Sequence, residues 1–260
     1  MTLLVTEAVV LHVFDYLESS RIFRLATRDA GVRSVLARGA RRSRRRFGSA
    51  LDLFAGGVAE LHTKPGRELD TLGGFEVTLA RPQLAEELPR FVGASALAEL
   101  TLRFGRDAAD PGLFEAVIHA LDDIGAAPAV RAREAALAGA WRIITELGFG
   151  PTVDVCSDCH APIPLTDTVL FSHPSGGALC TRCARLAPSG RVLPPEARAA
   201  LRAWSAGTHV AIAPGEGRAH QRLLREFLSE HLTDGRPLRA FETWEHGEWE
   251  NEVAAAHSDQ

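Results

Sequence analysis

The sequence has almost no lysine: a single residue, Lys64, stands against 28 arginines. Lys64 sits in "HTKPGRE", with no Gly-Lys-Ser/Thr around it, so a P-loop for ATP is excluded. No second lysine exists to form a Schiff base or act as a covalent nucleophile. HExxH, GxSxG and a glycine-rich dinucleotide fingerprint are also missing. No carboxylate stands at an interpretable spacing from a histidine. Catalysis therefore has no visible home, and the expectation is a protein that is not an enzyme. No apolar run approaches the ~18–20 residues that span a bilayer. The opening "MTLLVTEAVVLHVFDYLE" lacks a basic leader and reads at once as strand, so no signal peptide is expected and the cytoplasm is the expected location.

The scarcity of lysine makes one stretch conspicuous. "ARGARRSRRRFGSA" packs Arg38, Arg41, Arg42, Arg44, Arg45 and Arg46 into nine positions of a chain whose formal net charge is −4. Residues 1–80 hold 12 basic and 9 acidic side chains, net +3, and residues 81–260 hold 17 and 24, net −7. An anion-facing front joined to an acidic remainder is the reading. General enrichment in arginine would also give a solvated loop here. A grip on phosphates, with Phe47 as a stacking face, is the sharper expectation.

Residues 3–80 alternate as short strands, "TEAVVLHVF", "RIFRLATR", "VRSVLARG", "LDLFAGGVAELHT" and "ELDTLGGFEV", broken by "DYLESS", "RDAG" and "KPGR". Five strands in this length suit a small closed barrel. An OB-fold leads, an SH3-like barrel would look similar, and the arginine segment falls between strands three and four. From residue 84 the period becomes helical. Leu84, Leu88, Phe91, Leu97, Leu100 and Phe104 mark one helix. Asp110 then caps and Pro111 opens a second, which ends at Gly125. Trp141, Ile144 and Leu147 share a face of a third that stops at Gly148, and "PPEARAALRAWSAG" and "EGRAHQRLLREFLSEHL" give two more. The expected fold class is α+β. Residues 1–80 form the barrel, 81–150 and 188–241 a helical domain, 151–187 an insertion, and 242–260 an acidic tail.

The insertion holds every cysteine: Cys156-x2-Cys159, then Cys180-x2-Cys183. Two such knuckles supply the four soft ligands of tetrahedral zinc and leave no open position, so one structural zinc ribbon is expected. A cytoplasmic setting argues against disulfides. Two redox pairs, or a metal-free remnant, are the alternatives. His160 and His173 lie in the same stretch and are expected to be outer or surface groups.

The final "FETWEHGEWENEVAAAHSDQ" carries six acidic residues, Trp244 and Trp249, and no arginine or lysine. It reads as a solvated acidic tail. A fold-back onto the arginine loop is the alternative, with carboxylates in place of phosphates and indoles in place of bases.

"LVTEAVVLHVFDYLESSRIFRLATRDAGVRSVLARGARRS", "ALDLFAGGVAEL", the four-cysteine insertion among helices and "HLTDGRPLRAF" together resemble the RecO family of bacterial recombination mediators, over about residues 3–241. That resemblance implies an OB domain, a helical domain and a zinc ribbon. It further implies binding of single- and double-stranded DNA, annealing of complementary strands, and work with RecR to load RecA on DNA coated with single-strand binding protein (SSB). By the same likeness Arg38, Arg41, Arg42, Arg44, Arg45 and Arg46 contact DNA, and Cys156, Cys159, Cys180 and Cys183 hold the metal. The SSB tail docks on the helical domain, and the protein is associated with the nucleoid. A zinc-ribbon transcription or RNA-binding factor with an OB-like barrel would share these features. A metal-dependent hydrolase would need an open metal position that is not visible.

Overall fold

Alternation of apolar and polar residues over the first 80 positions builds five strands: β1 (Thr2–Tyr16), β2 (Ser20–Thr27), β3 (Gly31–Ala37), β4 (Gly56–Thr63) and β5 (Leu69–Leu79). The structure is a computed structural model that describes residues 2–40, 51–64, 66–213, 215–232 and 236–247. The strands close into a barrel in the order β1-β2-β3-β5-β4, with β1 pairing antiparallel to both β2 and β4. β3 and β5 are neighbours and parallel, Val35 opposite Asp70. A meander would place β4 beside β3, whereas here β5 stands between them, so this order decides for the Greek-key OB-like barrel over the SH3-like one.

The two faces of these strands have different destinations. Ala8, Val10, Phe23, Leu25, Val35, Leu61 and Leu72 fill the barrel. Val9, Leu11 and Ala26, joined by Phe54 before β4, belong instead to the core of the helical part. Alternation lets β1 serve both sides, and the register shift between Val10 and His12 then changes the parity, so that Val13 packs on the barrel side. At the seam Arg81 is buried, its Nε 2.7 Å from Asp122 Oδ1 and its Nη1 donating to the Phe54 carbonyl at 3.0 Å. Gly31 has a φ of +66°, and a Cβ there would meet the Arg106 carbonyl at 2.2 Å, so only glycine lets β3 approach that loop.

The helical part begins with a short α1 (Gln83–Glu86), set off from α2 (Leu88–Phe104) by extended backbone at Glu87 and by Pro89 in the first turn of α2. α3 (Pro111–Ala126) starts as its sequence dictates, the Asp110 carboxylate accepting from the Leu113 N–H at 3.0 Å. α4 (Ala132–Ile144) is buried almost throughout and ends in a widened π turn, Thr145–Phe149, where Gly148 turns at φ +89°. A three-stranded sheet follows, β6 (Val169–Ser172), β7 (Gly177–Leu179) and β8 (Arg191–Leu193), with the one-turn α5 (Thr181–Ala184) inside it. α6 (Pro195–Ser205) and α7 (Gly217–His231) complete the bundle. Phe227 of α7 meets Trp141 edge-on at 5.2 Å and Phe171 of the sheet at 6.1 Å, which joins the insertion to the helical core. No helix among the described residues is long and apolar enough to cross a membrane.

Two stretches run past the limits expected from sequence. The insertion's sheet extends to Leu193, beyond residue 187. A further helix, α8 (Arg239–His246), crosses position 241 and lies along α2. The Glu99 carboxylate caps it, accepting the N–H groups of Arg239 and Ala240 at 2.9 and 2.8 Å. Trp244 is completely buried, edge-on to Phe241 at 5.0 Å and beside Gly93. Burying an indole removes roughly 200 Å² from water, about 5 kcal/mol as an upper figure, against about 1 kcal/mol for an exposed ion pair. Trp244 is therefore a core residue and is not available to stand in for a base on the arginine loop. Trp249 and the remaining tail, 248–260, lie outside the described residues.

Candidate metal centre and nucleic-acid interface

The Cys-x2-Cys spacing forces each pair into a tight turn. At the first, the Cys156 N–H donates to the Ala161 carbonyl at 2.8 Å and the His160 N–H to the Cys156 carbonyl at 2.8 Å, with His160 at φ +59°. At the second, Cys180 stands just before α5 and its carbonyl accepts the Ala184 N–H at 2.9 Å. β7 brings the turns together. Its Gly177 lies so close to Thr152 that a Cβ would sit 2.0 Å from the Thr152 carbonyl.

Cys156, Cys159, Cys180 and Cys183 bring their four Sγ atoms within 4.8 Å of one another, and Cys159 and Cys180 are 3.7 Å apart. Ligands at the ~2.3 Å zinc–sulfur distance would sit about 3.8 Å apart at the corners of a tetrahedron. The cluster fits a four-thiolate site and could hold a metal ion. Its electrostatics agree. Burial pushes the Cys156 thiol up, but the N–H groups of Cys159, Cys180 and Asp158 prevail and hold it down to about 6. The Cys183 N–H leads in lowering Cys180. Cys183 is pushed up to about 12 by burial and by the three thiols around it. Charge crowding of this kind is what a cation relieves. Arg182 donates to Cys159, adding positive charge at the rim.

His160 is exposed, and His173 turns away from the sulfurs to stack on Phe171 at 5.4 Å and meet Glu226 at 3.5 Å; neither joins the four-sulfur cluster. Arg198 was not singled out by sequence. Its buried guanidinium donates to the carbonyls of Val153, Pro164 and Ile163 at 2.7, 2.6 and 2.9 Å, tying α6 to the loop that carries the first cysteine pair. Nothing in an arginine-rich sequence distinguishes this position.

On the barrel, Arg38 follows directly on β3 and is exposed in a turn; Arg41, Arg42, Arg44, Arg45 and Arg46 lie outside the described residues. The described part adds cations that sequence reading passed over. A groove of about 1010 Å³ between the barrel and the end of α2 is lined by Arg24, Arg33, Lys64, Arg67 and Arg106 among others. Arg33 is partly committed to Asp70 at 3.7 Å, and Arg24 donates to the Leu102 carbonyl at 2.9 Å. Lys64 and Arg67 stand in the β4–β5 loop, one of the two loops that flank the binding face of OB barrels.

Two family models cover the chain. "Recombination protein O N terminal" matches residues 1–80 and "Recombination protein O C terminal" matches 85–240. A DNA repair protein RecO of Anaeromyxobacter sp. (strain K) is 38% identical over 244 residues, 89% of this chain and 92% of that protein. Its namesake in Geobacter sulfurreducens is 35% identical over 183 residues, 69% of this chain and 72% of the relative. The Rubrobacter xylanophilus protein is 29% identical over 234 residues, 89% and 93% of the two chains. The two models together span nearly the whole chain, and the relatives agree with them: the chain belongs to the RecO family of DNA repair proteins.

Proposed function

We propose that the protein is a non-catalytic recombination mediator of the cytoplasm. It binds single- and double-stranded DNA, anneals complementary strands, and helps RecR load RecA onto single-stranded DNA coated with SSB. The observation that carries this reading is the position of six arginines in the connection between β3 and β4 of a closed five-stranded barrel, in a chain matched by both RecO family models. Arg38, Arg41, Arg42, Arg44, Arg45 and Arg46 neutralise phosphates, and the counterions they release make binding salt-sensitive. Cys156, Cys159, Cys180 and Cys183 hold one zinc ion. Four thiolates fill its coordination sphere, so the ion's contribution is structural, and the chain's own part is to bring the four sulfurs together, with Cys156 and Cys180 biased toward thiolate by backbone N–H groups. The helical domain receives the SSB tail.

The test combines an annealing assay on SSB-coated complementary strands with capture by RecR and by an SSB tail peptide. Faster annealing and retention by both partners are expected, with no strand cleavage in magnesium or manganese. Failure to accelerate annealing together with failure to bind either partner would overturn the reading.

A further inference from the structure

The β1–β2 hairpin carries apolar side chains into water at one end of the barrel. Beyond the register shift of β1, His12, Phe14 and Tyr16 fall on alternate positions and all three are exposed. Phe14 and Tyr16 are each 41% exposed, and Leu17 in the turn is 76% exposed. The rings of His12 and Phe14 lie 5.7 Å apart, tilted by 56°. Leu17 has a φ of +55°, in the left-handed region that glycine or asparagine occupies at lower cost. An exposed leucine in a disfavoured conformation beside two exposed rings costs stability twice over, and such costs concentrate where a ligand offsets them.

Strand register identifies what lies next to these side chains. Asp15 pairs with Arg21 across β1–β2, and Arg21 pairs with Ala37 across β2–β3. Tyr16 is one step beyond that row on β1, and Arg38 is the first residue after β3, one step beyond the row in the same direction. Two inter-strand spacings separate them, about 10 Å. The aromatic tip and the start of the six-arginine segment therefore share one end of the barrel. Of the hairpin's carboxylates, Asp15 is held by Arg21 at 3.2 Å, and Glu18 lies in the turn itself.

A ligand that offsets both the exposed rings and the arginine charge has flat apolar faces strung on a polyanionic backbone. Single-stranded DNA has both, whereas a duplex hides its base faces within the stack. We propose that Phe14 and Tyr16, with Leu17 at the tip, form a base-stacking platform for single-stranded DNA beside the origin of the arginine segment. The proposal rests on the DNA-binding reading above and adds the contact that separates single strands from duplex. The arginines grip either form through phosphate; the hairpin selects the open one.

Tyr16 is the chain's single tyrosine, which makes the platform traceable. The full-length protein is photo-crosslinked to an oligothymidylate carrying 5-iodouracil, and the adduct is mapped by mass spectrometry. In parallel, affinities for that strand and for a blunt duplex are measured for the wild type, the Phe14→Ala/Tyr16→Ala double variant and Tyr16→Phe. An adduct within residues 14–17 is expected. The double variant should lose about tenfold or more in single-strand affinity, on the scale of a lost base–aromatic stack. Its duplex affinity should stay within about twofold and its salt slope should not change, because no phosphate contact is removed. Tyr16→Phe should bind like the wild type. Adducts confined to other peptides with undiminished single-strand affinity would overturn the platform while leaving the DNA-binding reading intact. An equal loss on both DNA forms would also overturn it. A wild-type protein that binds neither form would sink both readings together.

Discussion

The barrel and the cysteine-bearing sheet reach closure by opposite means. In the barrel, β1 pairs with β2 on one side and β4 on the other, and an interior of aliphatic and aromatic side chains fills the ring. The small sheet has strands of four, three and three residues, and its buried Val169, Phe171, Ala178 and Leu179 join the neighbouring helical core. A unit of that size does not bury enough to hold itself, so it depends on cross-links: the Arg198 guanidinium is one, and a metal held by the four-sulfur cluster would be a second. The contrast extends to arginine itself. Arg81 and Arg198 are buried fasteners with carbonyl or carboxylate partners, whereas Arg38 is exposed in the turn after β3. Arginine abundance is thus a poor guide to where DNA binds; burial and partners separate the two uses.

Removing metal should produce the largest effect and confine it to the sheet. The purified protein is expected to carry about one zinc per chain, and Cys180→Ser should reduce this to less than about a tenth. Structural zinc sites contribute on the order of 10 kcal/mol to the fold around them. Amide-exchange protection across residues 152–193 should collapse in the variant, while DNA affinity stays within about twofold of the wild type. Intact protection in metal-free protein would show that the sheet closes without the ion and would erase the contrast with the barrel.

Arg198→Leu should come next. It strands three carbonyls that the guanidinium now satisfies. The expected cost is about 3 kcal/mol, seen as a lower urea midpoint and faster exchange around Val153 and Ile163. Arg81→Leu should cost a similar amount, with the loss appearing at the seam near Phe54 instead. A penalty below about 1 kcal/mol for Arg198→Leu would mean that water replaces the guanidinium, and the cross-link account of the sheet would be lost.

How far the sequence could be read follows from the same physics. Period-two alternation marks all five barrel strands because one face is always inside, and Asp110-Pro111 marks the start of α3 because capping is local. The four-cysteine cluster is legible because its residues come as two short, fixed spacings. The parallel closure of β3 on β5 is not local and leaves no mark in either strand. Arg81 and Arg198 look like any of the other arginines until their surroundings are known. α8 escapes notice because Phe241 and Trp244 are its two buried residues in an acidic stretch, and its cap comes from Glu99 in another helix. The six-arginine segment is legible as charge, but apart from Arg38 its arginines lie outside the described residues.

Neutralising Arg41, Arg42, Arg44, Arg45 and Arg46 should change binding without changing stability. Affinity for DNA should fall about ten- to a hundredfold at moderate salt. The slope of log affinity against log salt should become shallower by roughly 0.7–0.9 for each phosphate contact removed. Thermal midpoints should stay within a degree or two. An unchanged slope would move the DNA site to the groove lined by Arg24, Lys64, Arg67 and Arg106, where the corresponding substitutions then become decisive.

The smallest effect expected is a pH dependence of stability in the helical part that the barrel does not share. His220 on α7 is 3% exposed, and its ring packs edge-on against Trp204 at 4.8 Å. Neither ring nitrogen has a hydrogen-bond partner among the described residues. Burial pushes its pKa down, and the more distant Glu216 carboxylate offsets this only in part. Between that depressed value and the unfolded value near 6.5 the unfolded chain binds the extra proton, so stability rises with pH across this window. The contribution is complete above about pH 6.5 and is lost as pH falls toward the folded pKa. His173 shifts in the same direction, through burial, and adds to the slope. A metal held by the four cysteines would also be released by acid as its thiolates take up protons, so wild-type melting alone does not isolate the histidine. His220→Phe keeps an aromatic ring against Trp204 and removes the titration. Its melting temperature should fall less than that of the wild type between pH 7 and pH 5.5, with both proteins holding equal zinc at each pH. Parallel curves would show that His220 does not charge on unfolding in this range, and the acid sensitivity would then belong to the cysteine cluster and His173.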